Sequence, residues 1–218
     1  MECAAKHARE PCVNEHSRST IRSLMETVPI EKSDPKKFFL ELFKFAAIAL
    51  LIVVPVRTYV AQPFVVSGAS MEPTFDSGEY LVVDELSYRF REPARGDVVI
   101  FRYPKDPSKY FIKRIVGLPD ETVTIRGSEV VVVNHAHPEG LVLPETYLDP
   151  GRLKSDFITV ALSGGEYFVL GDNRRESSDS RYWGALPREN IVGRAFLRLV
   201  PIARATYLPG HTESAGGK

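Results

Sequence analysis

From Phe64 onward the chain is a series of short β-type runs: "FVVSG", "EYLVVDEL", "GDVVIFRYP", "KYFIKRIVGLP", "ETVTIRG", "EVVVVN", "FITVAL", "EYFVLGDN" and "VGRAFLRLVP". Val, Ile, Tyr, Phe and Thr suit a pleated, half-buried surface, and the Gly, Pro, Asp and Asn between the runs suit turns. Strands this short, with no helical period between them, build antiparallel sheets rather than parallel βαβ units. The expected class is therefore mainly β, an antiparallel β-rich domain over residues 61–208. Within it, 134–158 is rich in Pro, Gly and Asp and reads as a small accessory β excursion, and 209–218 reads as a polar tail.

Ahead of the strands stands "PKKFFLELFKFAAIALLIVVPVRTYV", residues 35–60. Its uncharged part, Phe45–Val56, makes about 18 Å of helix, whereas a bilayer core needs about 30 Å. Extension back to Phe38 reaches that length but takes in Glu41 and Lys44. These are i,i+3 neighbours that can partly neutralise each other, and Lys44 can snorkel toward headgroups. A buried core helix is the alternative. Lys32, Lys36 and Lys37 precede the run and only Arg57 follows closely, which favours a cytoplasmic N-terminus. A cleaved leader fits less well, because the preceding tail is long and Tyr59 stands where a small residue is wanted. The expectation is thus a polar cytoplasmic tail at 1–37, a transmembrane anchor helix at 38–60 and an extracytoplasmic domain beyond it.

Lys+Arg and Asp+Glu are both 28, so the net charge is zero and a nucleic-acid partner is not expected. Both cysteines, Cys3 and Cys12, lie in the tail, so the β-rich body holds no disulfide and its redox compartment is unmarked. Cys3, His7, Cys12 and His16 form two Cys-x3-His pairs at helical spacing. That pattern could hold zinc, but the loop between the pairs is unusually short. No metal and no cofactor are expected in the functional site.

"SGASMEPTF", residues 67–75, looks like a nucleophile on a strand-to-loop corner, with Ser70 between small residues and a Met-Glu-Pro-Thr turn. A serine hydroxyl needs a base beside it. Of the five histidines, His7 and His16 precede the apolar run, His211 is in the terminal tail, and His135 and His137 sit in the turn-like "VNHAHPEG". None has the setting of a catalytic base. A lysine can serve only when neutral, which requires burial. Lys105, Lys109 and Lys154 are in polar surroundings. In "YFIKRIVG" alternate side chains share a face, so Lys113 stands between Phe111 and Ile115. That is a desolvating environment; an edge-strand lysine that blocks aggregation is the other reading of the same residue.

Four boxes in order decide between them. "GASMEPTF", "RGDVVIFRYP", "YFIKRIVGLP" and "GDNRRESSDSRYWGALP" resemble the nucleophile, Gly-Asp-Val-Val, lysine and Gly-Asp-Asn-Arg boxes of the bacterial type I signal peptidases. These are membrane-anchored proteases with a Ser/Lys dyad, and the match runs from the apolar run to about residue 200. The resemblance implies Ser70 as nucleophile and Lys113 as general base. It implies Ser177 as the serine that orients the lysine, and Gly68 and Ala69 beside the oxyanion. It makes Asp97, Arg114, Asp172, Asp179 and Arg181 structural charged residues, with Met71 and Pro73 fixing the corner. It also implies the substrate: signal peptides of exported preproteins, cut after small-x-small (Ala-x-Ala) sites, at the bacterial inner membrane beside the lipid bilayer. Some members carry a serine where this chain has Gly68, which leaves the oxyanion to backbone N–H groups. "GLPDE" replaces the usual "GLPGD". Related alternatives are a conjugation-associated peptidase of narrower substrate range, a soluble self-cleaving repressor, and an inactive binding protein on the same fold. The apolar run and the lack of a helix-turn-helix pattern oppose the repressor, and the presence of both Ser70 and Lys113 opposes the inactive protein.

Overall fold

The computed structural model describes residues 35–55 and 61–212. The chain separates into two units with the boundary between Leu50 and Leu51. Helix α1, Pro35–Pro55, is apolar around most of its circumference, and Phe39, Phe43, Phe45, Leu50 and Leu51 are exposed. Among the described residues no helix is long and apolar enough to cross a membrane. Lys36, Lys37, Glu41 and Lys44 confine the uncharged turns to Phe45–Val54, about 15 Å of helix against about 30 Å of hydrocarbon. α1 is described to Pro55, so only part of the anchor expected over 38–60 falls on described residues. Residues 56–60, and the tail with its Cys/His pattern, lie outside the described residues.

The β-rich body consists of antiparallel ladders. The strands are β1 (Ala61–Val65), β2 (Tyr80–Asp84), β3 (Val98–Tyr103), β4 (Asp106–Gly117), β5 (Thr122–Gly127), β6 (Glu129–Val133), β7 (Leu141–Val142), β8 (Asp156–Ala161), β9 (Glu166–Leu170), β10 (Leu186–Pro187), β11 (Ile191–Val200) and β12 (Thr206–Tyr207). One sheet runs β1–β2–β11–β3–β4–β9–β10, with β12 on β11; the second runs β7–β6–β5–β8. Every run named above supplies a strand. The two-residue strands β7, β10 and β12 are additions too short to leave a periodic signal. A short α-helix, α2 (Ser180–Trp183), follows β9.

The accessory unit is larger than a loop at 134–158. "ETVTIRG" and "EVVVVN" pair as a hairpin, Arg126 opposite Glu129, and β8 covers the other side of β5. Alternate residues Val123, Ile125, Val130 and Val132 then face one way. They close a core with Val116, Phe168 and Leu170 of the first sheet. Residues 122–161 therefore form a sheet of their own.

Two strand edges shape the site. β1 pairs only with β2, so it is an edge strand, where Pro63 costs no ladder hydrogen bond. β4 pairs with β3 along its length but meets β9 only from Arg114 onward. Among the described residues, Tyr110–Lys113 thus have no strand partner on that side.

Candidate active site

The corner that carries Ser70 is set by its neighbours. Val66, Met71 and Phe75 are buried with Leu81, Val83, Val98, Ile100 and Ala195, and this cluster anchors both ends of the corner. Backbone bonds from Glu72 N to Ala69 O (3.2 Å) and from Phe75 N to Met71 O (2.9 Å) close the turn. Gly68 has φ +91°, a region that residues with a Cβ rarely adopt, although a Cβ there would meet nothing within 4 Å. Backbone conformation, not space, favours glycine here. From the far loop, Asn173 donates through Nδ2 to Ala69 O and through its backbone N to Ser70 O, each at 3.1 Å. Gly171 lies so close that a Cβ there would sit 2.5 Å from Ser70 O and would collide with the Ser177 side chain.

Lys113 reaches the corner from β4. Its Nζ donates to Ser70 Oγ at 2.7 Å and to Ile112 O at 2.8 Å. Phe111 and Ile115, its neighbours on the same face, belong to one apolar cluster, and the Phe111 ring centroid is 5.5 Å from Nζ. Only 3% of the lysine is exposed. Burial pushes its pKa down to about 8, against the opposing pull of the Asp179 and Asp172 carboxylates. The Ser70 hydroxyl and the amine thus lie within hydrogen-bond reach, and a useful neutral fraction of the amine exists near neutral pH.

The charged residues named from the sequence gather around this pair. Arg114 holds Asp172 with two bonds, Nε to Oδ1 at 2.8 Å and Nη2 to Oδ2 at 2.6 Å, and both side chains are about 1% exposed. Thr74, in the nucleophile corner, donates to Asp172 Oδ2 at 2.5 Å. Arg181 grips Asp179 through Nε and Nη2, both at 2.8 Å, and Asp179 Oδ2 accepts from Gly171 N at 3.1 Å. Asp97 accepts from Tyr88 Oη at 2.8 Å and Ala94 N at 3.1 Å, and its own carbonyl accepts from Ile115 N. These are buried pairs rather than surface ones, so loss of one partner would strand a charge.

Ser177 departs from the expectation. It is buried beside Gly171, but its hydroxyl has no hydrogen-bond partner, and it does not bond to Lys113. The lysine is oriented instead by the Ile112 carbonyl. His135 is exposed, His137 lies near Glu139, and neither lines the cleft. His211 is not a free tail residue, since its Nδ1 is 3.2 Å from Asp97 Oδ1. Sequence reasoning missed Thr74, Asn173, Gly171 and the Tyr147 ring, whose centroid lies 3.8 Å from the Arg114 guanidinium carbon. Asn173 and Gly171 stood inside a recognised box, but nothing local told which atom each would touch.

A cleft of about 290 Å³ opens over the pair. One wall is Phe64–Ser70 and the other Tyr110–Lys113, so both unpaired strand edges face it, and the Phe64 and Tyr110 rings stand 5.4 Å apart. Leu81 and Ile100 add apolar lining, and Glu176 and Ser178 add polar lining. An extended peptide can pair with such edges while alternate side chains enter the cleft.

A family model described as signal peptidase, peptidase S26, matches residues 39–200. The chain is 37% identical over 194 residues to "Probable signal peptidase I-2" of Synechocystis sp., covering 86% of this chain and 85% of that protein. It is 34% identical over 202 residues to "Probable signal peptidase I-1" of the same organism, covering 86% and 98%. It is 33% identical over 234 residues to "Signal peptidase I" of Pseudomonas fluorescens, covering 86% and 82%.

Proposed function

The chain belongs to the signal peptidase family, peptidase S26, and from that membership and the cleft we propose that it is a membrane-bound serine endopeptidase. It removes N-terminal signal peptides from exported preproteins after small-x-small sites. The observation that carries this reading is the 2.7 Å contact between Ser70 Oγ and the Nζ of a buried lysine whose pKa is pushed down to about 8.

The preprotein lies extended between β1 and the free edge of β4, and two alternate small side chains enter the cleft. Neutral Lys113 takes the proton of Ser70 Oγ as the oxygen attacks the scissile carbonyl. The carbonyl oxygen becomes an oxyanion, stabilised by backbone N–H groups, with that of Ser70 the donor at hand in the absence of a hydroxyl at position 68. Lys113 then gives its proton to the leaving amine nitrogen, the C–N bond breaks and an acyl-enzyme ester on Ser70 remains. Lys113 next deprotonates a water, which attacks the ester; the ester C–O bond breaks and Lys113 returns the proton to Ser70 Oγ. Arg114 with Asp172 and Arg181 with Asp179 hold the scaffold and touch no reacting atom.

The exposed apolar side chains of α1 support association with lipid. Lys32, Lys36 and Lys37, ahead of the apolar run, support an N-terminus on the cytoplasmic side. The test is cleavage of an Ala-x-Ala preprotein in detergent by the full chain and by Ser70→Ala, Lys113→Ala and His135→Ala variants. Cleavage after the second small residue, lost in the first two variants and kept in the third, is the expected outcome. Cleavage that survives loss of Lys113 would refute the base assignment.

A further inference from the structure

Residues 208–212 lie beyond the 39–200 family match and fold against the scaffold of the site. Leu208 N donates to Phe196 O at 2.7 Å, and His211 N donates to Leu208 O at 3.1 Å, which turns the chain back toward the body. Pro209 is buried. Gly210 has φ +73°, and a Cβ there would press on Thr74 Cγ2 at 2.7 Å and Phe75 Cε2 at 3.1 Å, both in the nucleophile corner. Gly96 admits Thr212 from the other side, since a Cβ there would collide with the Thr212 carbonyl.

This segment supplies what Arg114 lacks. Two of the Arg114 nitrogens, Nε and Nη2, are spent on Asp172. The third, Nη1, donates to Gly210 O, to Gly96 O at 3.1 Å and to Thr212 Oγ1 at 3.4 Å. Two of those three acceptors belong to the terminal segment. His211 then fastens it through Nδ1 to Asp97 Oδ1 at 3.2 Å. A guanidinium this buried requires all its donors to be met, so its position depends on the clip. From Arg114 the linkage runs to Asp172 and from Asp172 to Thr74 Oγ1, four residues after the nucleophile.

We propose that Gly210, His211 and Thr212 form a C-terminal clip of positioning residues that hold Arg114, and through it Asp172 and Thr74, so that Ser70 stays in line with Lys113. The role rests on the assignment of Ser70 and Lys113 as the catalytic pair. None of the three touches substrate; they act on kcat through the corner.

The experiment compares the full chain with a chain ending at Leu208 and with Gly210→Ala, Thr212→Val, Thr212→Ser and Thr206→Ala variants. The Thr206 hydroxyl is exposed near the same end of the chain and bonds to Tyr207 O at 3.4 Å, away from Arg114 and the Ser70 corner. Cleavage of an Ala-x-Ala preprotein is measured per active site, counted by titration with a serine-directed acylating reagent. The shortened chain and Gly210→Ala should lose about tenfold or more in kcat with KM held within about twofold, as expected for a small misplacement of reacting groups. Thr212→Val should lose less, Thr212→Ser should recover the loss, and Thr206→Ala should match the full chain. An unchanged kcat per titrated site in the shortened chain, or an equal loss in Thr206→Ala, overturns the proposal. If the full chain itself does not cleave, while Ser70→Ala serves as its blank, the peptidase reading fails and the positioning role falls with it.

Discussion

Lys113→Met should abolish cleavage and yet make the protein more stable at neutral pH. The amine is almost fully buried, and its pKa falls from 10.5 to about 8 on folding, chiefly through loss of solvent. At about 1.4 kcal/mol per unit, the folded state holds the charged lysine at a cost of about 3 kcal/mol whenever the pH is below about 8. Methionine has similar length and no charge, so it escapes that cost. It also gives up the bonds to Ile112 O and Ser70 Oγ, worth about 1 kcal/mol together at the low end of the net range for a hydrogen bond. The net expectation is a gain of about 2 kcal/mol at pH 6–7. Between pH 8 and 10.5 the unfolded chain binds more protons than the folded one, so wild-type stability climbs relative to the variant. Above that window the gain should vanish or change sign. Denaturant unfolding of both proteins in the same detergent at a series of pH values reads the difference, and other titrating groups cancel in it. A variant less stable than wild type at pH 6, or a difference that does not change with pH, would refute the burial argument.

Three further outcomes follow from the same geometry. Because the reactive form carries neutral Lys113, kcat/KM should rise about tenfold per pH unit on the acid side and level off near pH 8; a midpoint near 6.5 would point to a histidine. Gly171→Ala should inactivate the protein while leaving it folded by circular dichroism, since its Cβ would displace the Ser70 carbonyl, and near-normal kcat would contradict that close approach. Ser177→Ala removes a buried hydroxyl without a partner, so the free energy of unfolding should be unchanged or raised by about 1 kcal/mol, whereas a clear loss of stability would mean that the hydroxyl is bonded after all.

Much of this was readable in the residues, and the failures share one cause. Alternation in "YFIKRIVG" was enough to put Lys113 among Phe111 and Ile115, because period 2 on a strand is a local property. The nine β-type runs carried the strands for the same reason. What escaped were meetings between distant loops. Arg114 and Gly210 are 96 positions apart, and Thr74 and Asp172 are 98 apart; no local pattern at either end announces the other. The polar residues 209–212 offer no period, so they read as a tail, although one backbone carbonyl and one hydroxyl of theirs complete a buried guanidinium. Ser177 fails differently: the box locates the residue, but a hydroxyl rotor takes its partner from the packed surroundings.

Asp172 and Asp179 present an apparent conflict, because both favour the charged form of Lys113 and so oppose the neutral base. Each carboxylate is, however, committed to a guanidinium, Asp172 to Arg114 and Asp179 to Arg181. A paired carboxylate presents a dipole to the lysine rather than a bare charge, and the field of a dipole falls off faster with distance. Burial therefore outweighs the pull of the two acids. Arg114→Gln should expose this balance. It keeps some hydrogen bonding to Asp172 but removes the opposing charge, so the acid limb of kcat/KM should move to higher pH. Asp172→Asn, which removes the carboxylate's charge, should move the limb to lower pH. Both limbs are read per titrated active site, so a partly unfolded sample does not distort them. Movement of both variants in the same direction would mean that altered burial, not the uncovered charge, controls the lysine.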